Sequence, residues 1–497
     1  MNANLYALLR DHFAERADAP ALVLPDNRHV TYGELEALAG RMTSVLHAAG
    51  CVPGDRVAVQ VDKCWEALAL YLACLRGGFV HLPLNTGYQK AELAYFFNDA
   101  EPRVILGRPE HAATLAALRP QARVLTLAAA QGSLLDSAGT HDTAPEPVQR
   151  KPDDLASILY TSGTTGRAKG AMLTHRNLAS NALTLVEQWG FTHDDVLLHA
   201  LPIYHVHGLF VACHCALLSG ARMLWQPKFE VAAVIDALAH ATVMMGVPTF
   251  YTRLLAEPRF GAAACARVRL FVSGSAPLLP ATFEAFAERT GHAILERYGM
   301  TETGMNTSNP LDGERRCGSV GRALPGVRVR VTGANGASGP ESVGGIEVKG
   351  PNVFAGYWRM PEKTREEFTA DGYFKTGDMG RISADGYLTI VGRAKDLIIT
   401  GGLNVYPKEI EERIDALPGV VESAVIGVDD PDFGEAVTAV VVAASDCAAT
   451  EAGIIAALKS EIASFKVPKR VHFVPDLPRN AMGKVEKAVL RRRYAAS

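Results

Sequence analysis

Short apolar runs alternate with stretches of helical periodicity through the first third of the chain, and this alternation restricts the fold more than any other feature. Runs at residues 56–61, 78–84, 104–106 and 124–127 each fit a buried strand, and a helical pattern to Arg76 joins the first two. Strands that are apolar throughout and separated by helices belong to parallel sheets covered on both faces. The same rhythm resumes from Ser157 to Arg297. Ahead of both, Leu5, Leu8, Leu9, Phe13 and Ala17 recur at helical spacing, and Thr31 with Glu34 has the form of a capping box opening a helix through Leu46. Residues 129–152, rich in Ala, Ser, Pro and Thr without a period, read as a surface connection.

From Gly318 the texture changes to short strand-like segments at 327–332, 345–348 and 386–391, broken by Gly, Pro and Asp, as in a β-subdomain. Beyond Asp396 follow a strand, a helix at 407–417, strands near Val425 and Val440, and a helix at 451–463. The expected fold is α/β. A large N-terminal domain, residues 1–394, holds two helix-flanked sheets plus the β-subdomain, and a small mobile α+β C-terminal domain spans 395–497. With 497 residues the chain can bury a large core without disulfides.

Charge and cysteine usage exclude several classes of function. Fifty Lys and Arg against fifty-three Asp and Glu leave a net charge of −3, which gives no reason to expect nucleic acid or a membrane as a partner. The basic residues gather at the end, ten against three acids over residues 459–497, which suits attraction toward a polyphosphate. The eight cysteines lie mostly in apolar stretches and read as buried thiols in a reducing compartment. Residues 2–18 mix Arg10, Asp11, Glu15 and Arg16 into their apolar pattern, unlike a signal peptide, and the apolar stretches 68–75 and 439–444 are too short to span a bilayer. A soluble cytoplasmic protein is expected.

The strongest local signal is an apolar strand at 156–160 running into Thr161, Ser162, Gly163, Thr164, Thr165 and Gly166, with Lys169 close behind. Glycines let backbone N–H groups approach phosphate oxygens, hydroxyls donate further bonds, and a lysine adds charge. The P-loop pattern requires Gly and Lys to be adjacent, and here Arg167 and Ala168 intervene, so this is a different phosphate loop.

This loop resembles the signature of the adenylate-forming superfamily, which includes AMP-forming acyl-CoA synthetases, luciferases and peptide-synthetase adenylation domains. Four further segments resemble the family's motifs in order. They are Arg297-Tyr-Gly-Met-Thr-Glu-Thr303, Tyr373-Phe-Lys-Thr-Gly-Asp378, Gly392-Arg-Ala-Lys-Asp396 and Pro478-Arg-Asn-Ala-Met-Gly-Lys484. The resemblance covers essentially the whole chain. It implies that a carboxylate attacks the α-phosphorus of ATP to give an acyl-adenylate and pyrophosphate, after which the thiol of coenzyme A displaces AMP. An anion must then approach a polyanion, so catalysis should rest on positioning and charge neutralisation.

By the same resemblance, Glu302 holds Mg²⁺, Thr301 contacts the α-phosphate, Asp378 binds the ribose hydroxyls and Arg393 assists there. Ser275, Ala276 and Pro277, with Glu296, Arg297 and Tyr298, wall the adenine. Lys484 bridges the attacking carboxylate and the ribose, Lys395 is the hinge, and Gly401 and Gly402 approach the CoA arm. Some relatives are acetylated on the motif lysine, which implies a lysine acetyltransferase as a partner. A monomer or homodimer is expected.

The acid is read from a second set of residues. Ser273, Gly274, Gly299 and Met300 are expected along the acyl site. In Pro202-Ile-Tyr-His-Val-His-Gly208, His205 matches a histidine common in relatives, whereas His207 replaces an aromatic. A second polar group in an acyl pocket is costly unless its ligand is polar. Arg253, from residues 247–253, is expected either on a solvated helix face or joining His207 in holding a second substrate carboxylate, for which a guanidinium is apt. Residues 296–310, with Met305 capping a short pocket, and residues 401–410 closely resemble the malonyl-CoA synthetases, implying malonate with methylmalonate tolerated. The alternatives are a ligase for another short-chain or aromatic acid, or a catalytically silent nucleotide-binding protein. An adenylation protein of a peptide synthetase is disfavoured, since no carrier domain follows Ser497. A zinc site among His205, His207, Cys213, His214 and Cys215 is also disfavoured, because residues 209–218 form an apolar helical run.

Overall fold

The computed structural model describes residues 2–141, 145–161, 168–333, 341–400, 403–431, 433–444, 449–480 and 483–495. One six-stranded sheet runs in the order Arg123–Thr126, Val104–Gly107, Arg56–Gln60, Val80–Pro83, Leu155–Thr161 and Lys169–Thr174. Its strands pair in parallel except at the last, where Leu155–Thr161 and Lys169–Thr174 are antiparallel around the Ser/Thr/Gly loop. A nine-stranded sheet holds Val196–His199, Val243–Gly246, Leu270–Ser273 and Leu295–Met300 as parallel neighbours. Their carboxyl ends therefore line one edge, where ligands of open α/β sheets bind.

The helix Trp65–Arg76 shows why the sequence pattern was readable. Its residues 66–76 are buried on every face, as a helix that is apolar all round must be. The helix Tyr32–Ala48 opens on the expected capping box, with Glu34 N–H donating to Thr31 Oγ1 at 3.1 Å and Thr31 N–H to Glu34 Oε2 at 2.8 Å. A cap of this kind contributes about 1 kcal/mol. One expectation is corrected. Residues 129–152 contain a helix, Ser133–Ala138, because Leu134 and Ala138, four apart, both reach the core. One pair of apolar residues is too short a pattern to register as a period.

A four-stranded antiparallel sheet (Arg328–Thr332, Gly344–Lys349, Phe374–Ile382, Leu388–Arg393) carries Asp378 and Arg393 in register opposite each other. The C-terminal sheet centres on the long hairpin Val420–Asp430 and Gly434–Ala443, packed by the helices Pro407–Asp415 and Glu451–Glu461 and by Lys487–Tyr494. Cys51, Cys64, Cys74, Cys213, Cys215 and Cys265 are buried and free. Among the described residues, no helix is long and apolar enough to cross a membrane.

Candidate active site

Two strand ends and one hairpin build a polar pole whose charges are already matched. Asp378 is buried and accepts from Tyr298 Oη at 2.6 Å, while Arg393 Nε lies 2.8 Å from its other oxygen. Tyr298 belongs to the strand Leu295–Met300 and Arg393 to Leu388–Arg393, so the carboxylate ties the nine-stranded sheet to the β-subdomain. Burial and the Asp378 carboxylate push the Tyr298 phenol well above its usual range, keeping it a donor. Nearby, Glu302 is buried and accepts at Oε1 from Thr161 and Tyr357 hydroxyls, both at 3.2 Å. Burial pushes its carboxyl up, while Lys169 acts in the opposite sense. The Lys169 ammonium lies 4.2 Å over the Tyr357 ring and 3.6 Å from Glu367. Hard oxygen donors on a buried, incompletely compensated carboxylate suit a divalent cation such as Mg²⁺.

A second pole is the reverse, a buried cation with two nitrogens that no described residue hydrogen-bonds. Arg297 is 2% exposed, and its Nε and Nη2 make no hydrogen bond. Its guanidinium packs on the backbone of Gly274, where a Cβ would fall 2.5 Å from Cζ, so only glycine leaves it room. Burial pulls the guanidinium down to about 10, which leaves it charged at neutral pH. His207 Nδ1 sits 3.3 Å from Ser275 Oγ, while its Nε2 is buried and unpartnered, as is Ser273 Oγ. Ser275 takes a left-handed φ of 73°, a strained choice for a residue with a Cβ, and so turns the chain over His207. Burial, then the Arg297 charge, holds His207 far below the usual histidine range and therefore neutral. The same two causes bring His205 to about 4.

Nε and Nη2 are the side-on pair of a guanidinium, the geometry that grips a carboxylate with two parallel bonds. A Cβ on Gly299 would lie 2.6 Å from Met305 Cε and 2.0 Å from Gly304 O, so the buried Met305 closes on the strand at that point.

The C-terminal loop brings a third charge. Gly483 takes a φ of +74°, and a Cβ there would meet Thr249 Oγ1 at 3.0 Å, which places the loop against the N-terminal helix Pro248–Leu255. Asn480 holds the turn, its Oδ1 accepting from Lys484 N–H at 3.0 Å. Burial, followed by Arg393, brings the Lys484 ammonium down to about 8, with Asp378 opposing. Lys484 thus stands among the groups of the first pole. Lys395 is exposed in the short turn Ala394–Asp396 that leads out of the β-subdomain.

Arg253 takes the solvated of its two expected places. It is exposed on Pro248–Leu255, whose buried residues are Pro248, Tyr251 and Leu254, and the enclosed cation beside His207 is Arg297. A helix with those inward positions turns Arg253 to solvent. Sequence reasoning put Arg297 on the adenine wall. Arg297 stands out as part of a Glu-Arg pair inside a strand otherwise buried on both faces, where a charge is costly without a ligand. Glu296 beside it is pushed up to about 7 by burial and accepts from Leu278 N–H at 3.3 Å. Ala276, Thr301, Met300 and Gly299 are half-buried and Pro277 is exposed along the same edge. Ser162, Gly163, Thr164, Thr165, Gly166, Gly401 and Gly402 lie outside the described residues.

Known proteins show the same arrangement of domains. The AMP-binding enzyme family model matches residues 9–358, and the AMP-binding enzyme C-terminal domain matches residues 409–484. The sulfoacetate–CoA ligase of Cupriavidus necator is 38% identical over 496 residues, covering 98% of this chain and 97% of the relative. The malonate–CoA ligase of Arabidopsis thaliana is 36% identical over 519 residues, covering 94% and 85%. Among solved structures, ATP-bound MatB from Rhodopseudomonas palustris matches with a TM-score of 0.97 at 56% identity, covering 100% of this chain and 99% of that one. Against apo MatB the TM-score is 0.87, at the same identity and coverage.

Proposed function

The chain belongs to the AMP-binding enzyme family and is an AMP-forming acid–CoA ligase, and from that premise we propose that its acid is malonate, with methylmalonate tolerated. The observation that carries this reading is the buried Arg297 guanidinium, whose side-on donor pair has no hydrogen-bond partner among the described residues. An unpaired buried charge is strongly destabilising, and a carboxylate on the substrate cancels that cost on binding. Two charge-assisted bonds contribute about 3 kcal/mol or more, enough to separate a dicarboxylate from a monocarboxylate by about a hundredfold or more. His207 Nε2 and Ser273 Oγ supply further contacts at the same end.

With one carboxylate held there, the other is free to attack. Malonate oxygen bonds to the α-phosphorus, the bond to the pyrophosphate oxygen breaks, and pyrophosphate leaves. Lys484 neutralises the approach of carboxylate to phosphate and anchors the ribose, with Asp378, Tyr298 and Arg393 holding the sugar and Thr301 the α-phosphate. Glu302 would hold Mg²⁺, which supplies charge neutralisation at the phosphates. The loop 161–166 and Lys169 hold the phosphate chain. For the second step, residues 395–497 turn about Lys395 as one domain, withdrawing Lys484 and bringing Gly401 and Gly402 to the CoA arm. The CoA sulfur then bonds to the acyl carbon, its proton is lost, and AMP departs.

The test is thioester formation from ATP, Mg²⁺, CoA and one acid at a time, identified by mass. The panel holds malonate, methylmalonate, sulfoacetate, succinate, acetate, butyrate and benzoate. Malonyl-CoA as the dominant product is expected. Preference for acetate, butyrate or benzoate would overturn the dicarboxylate pocket, and preference for sulfoacetate would keep the pocket's charge and change the acid.

A further inference from the structure

Away from the reacting groups, a buried relay reaches the acid pocket from the opposite sheet. Lys63 follows the strand Arg56–Gln60 of the six-stranded sheet, and its ammonium crosses to the nine-stranded one. There it donates to His199 Nδ1 at 2.8 Å, His199 O at 2.8 Å and Gln226 O at 2.7 Å, and lies 4.3 Å over the Trp225 ring. Three acceptors match the three protons of an ammonium, and the ring face favours a cation. His199 is 1% exposed and stacks on the same Trp225.

Burial brings the Lys63 ammonium down to about 7, but Gly208 O at the other nitrogen can only accept, so the imidazole proton sits on Nε2 and Nδ1 accepts from Lys63. That proton meets Gly208 O at 2.9 Å, with Cys213 Sγ at 3.3 Å from the same nitrogen. Gly208 and Cys213 are five residues apart, the spacing of a π-helical bond, and the segment His207–Cys213 is a π-helix. One N–H therefore addresses both ends of that π turn. His207, which faces the acid pocket, is its first residue. The turn cannot shift easily, since a Cβ on Gly208 would meet Pro202 O at 2.1 Å.

We infer that Lys63 is a positioning residue of the acid pocket, fixing the His199 tautomer so that His199 pins Gly208 and with it the orientation of His207. The inference rests on the reading of His207 as an acid-binding group. It does not depend on which acid is bound, so the kinetics are measured with whichever acid of the panel the enzyme uses best.

Lys63→Met removes the donor that fixes the tautomer. Its expected effect is about a tenfold rise in the KM of the acid, the worth of one misplaced buried hydrogen bond, with the KM for ATP unchanged. His199 variants separate the two nitrogens. His199→Gln keeps an amide N–H where Nε2 stands and should leave the acid KM within about threefold of the parent. His199→Asn offers its amide only at the Nδ1 position and should raise the KM as Lys63→Met does. If Lys63→Met does not fold, the comparison of His199→Gln with His199→Asn decides. Equal effects of those two, or parallel rises in the KM for acid and for ATP, would overturn the inference and leave Lys63 a plain strut between sheets. Failure of the malonate reading would appear instead as a different best acid in the unmodified enzyme.

Discussion

The two poles of the site handle buried charge in opposite ways. At the proposed ribose pole Asp378 is matched by Arg393 and Tyr298 and needs no ligand to balance its charge. At the proposed acid pole Arg297 has two buried donors with no hydrogen-bond partner among the described residues, and on the proposed reading completion is left to the substrate. A matched pole binds what every member of a nucleotide-using family must bind and discriminates little. An unmatched pole makes its ligand's charge a condition of stability, which is a route to specificity, because an acid lacking the second anion leaves the guanidinium as exposed to its penalty as no acid at all.

Removing the charge that joins the attacking carboxylate to the ribose pole should have the largest effect. Lys484→Ala is expected to slow acyl-adenylate formation by about a thousandfold or more, while preformed acyl-adenylate and CoA still give thioester. Single-turnover assays of each half-reaction check this, and equal loss in both would break the division of labour. Next comes the matched pole alone. Asp378→Asn should raise the KM for ATP by about ten- to a hundredfold, since a charged acceptor is lost, with the preference among acids unchanged. A change in acid preference would mean that the poles are not independent.

The pH dependence is a smaller lever on the same lysine. Burial and Arg393 bring Lys484 down to about 8, so its ammonium, needed to neutralise the approach, is progressively lost as pH rises through that value. The ratio kcat/KM for ATP, which reports the free enzyme, should fall about tenfold per unit on the alkaline side. A flat profile to pH 10, where an ordinary lysine begins to titrate, would contradict the burial of this group.

The difference between the poles also marks what the sequence could disclose. The alternation of apolar strands and helices made the two sheets readable, because burial on both faces leaves few polar residues in a strand. The Thr31–Glu34 cap was readable because its partners are three residues apart. The acid pole was only half legible. His207 stood out as a polar residue in an apolar setting, but the choice of Arg297 over Arg253 depends on which way two side chains face. Arg297 is turned inward by its strand and given room by Gly274, 23 positions earlier in the chain. Lys63 gave no signal at all, since its acceptors lie on strands that meet it only through tertiary packing. Nor could periodicity tell the π turn at His207 from an ordinary helix, for the run is apolar on every face.

The most direct test of the unmatched pole is the ratio of kcat/KM for malonate over butyrate in the parent enzyme and in Arg297→Met, with Arg253→Ala as the exposed control. The parent should favour malonate by about a hundredfold or more, Arg297→Met should bring the ratio near one, and Arg253→Ala should stay within about twofold of the parent. A ratio unchanged by Arg297→Met but collapsed by Arg253→Ala would contradict the account.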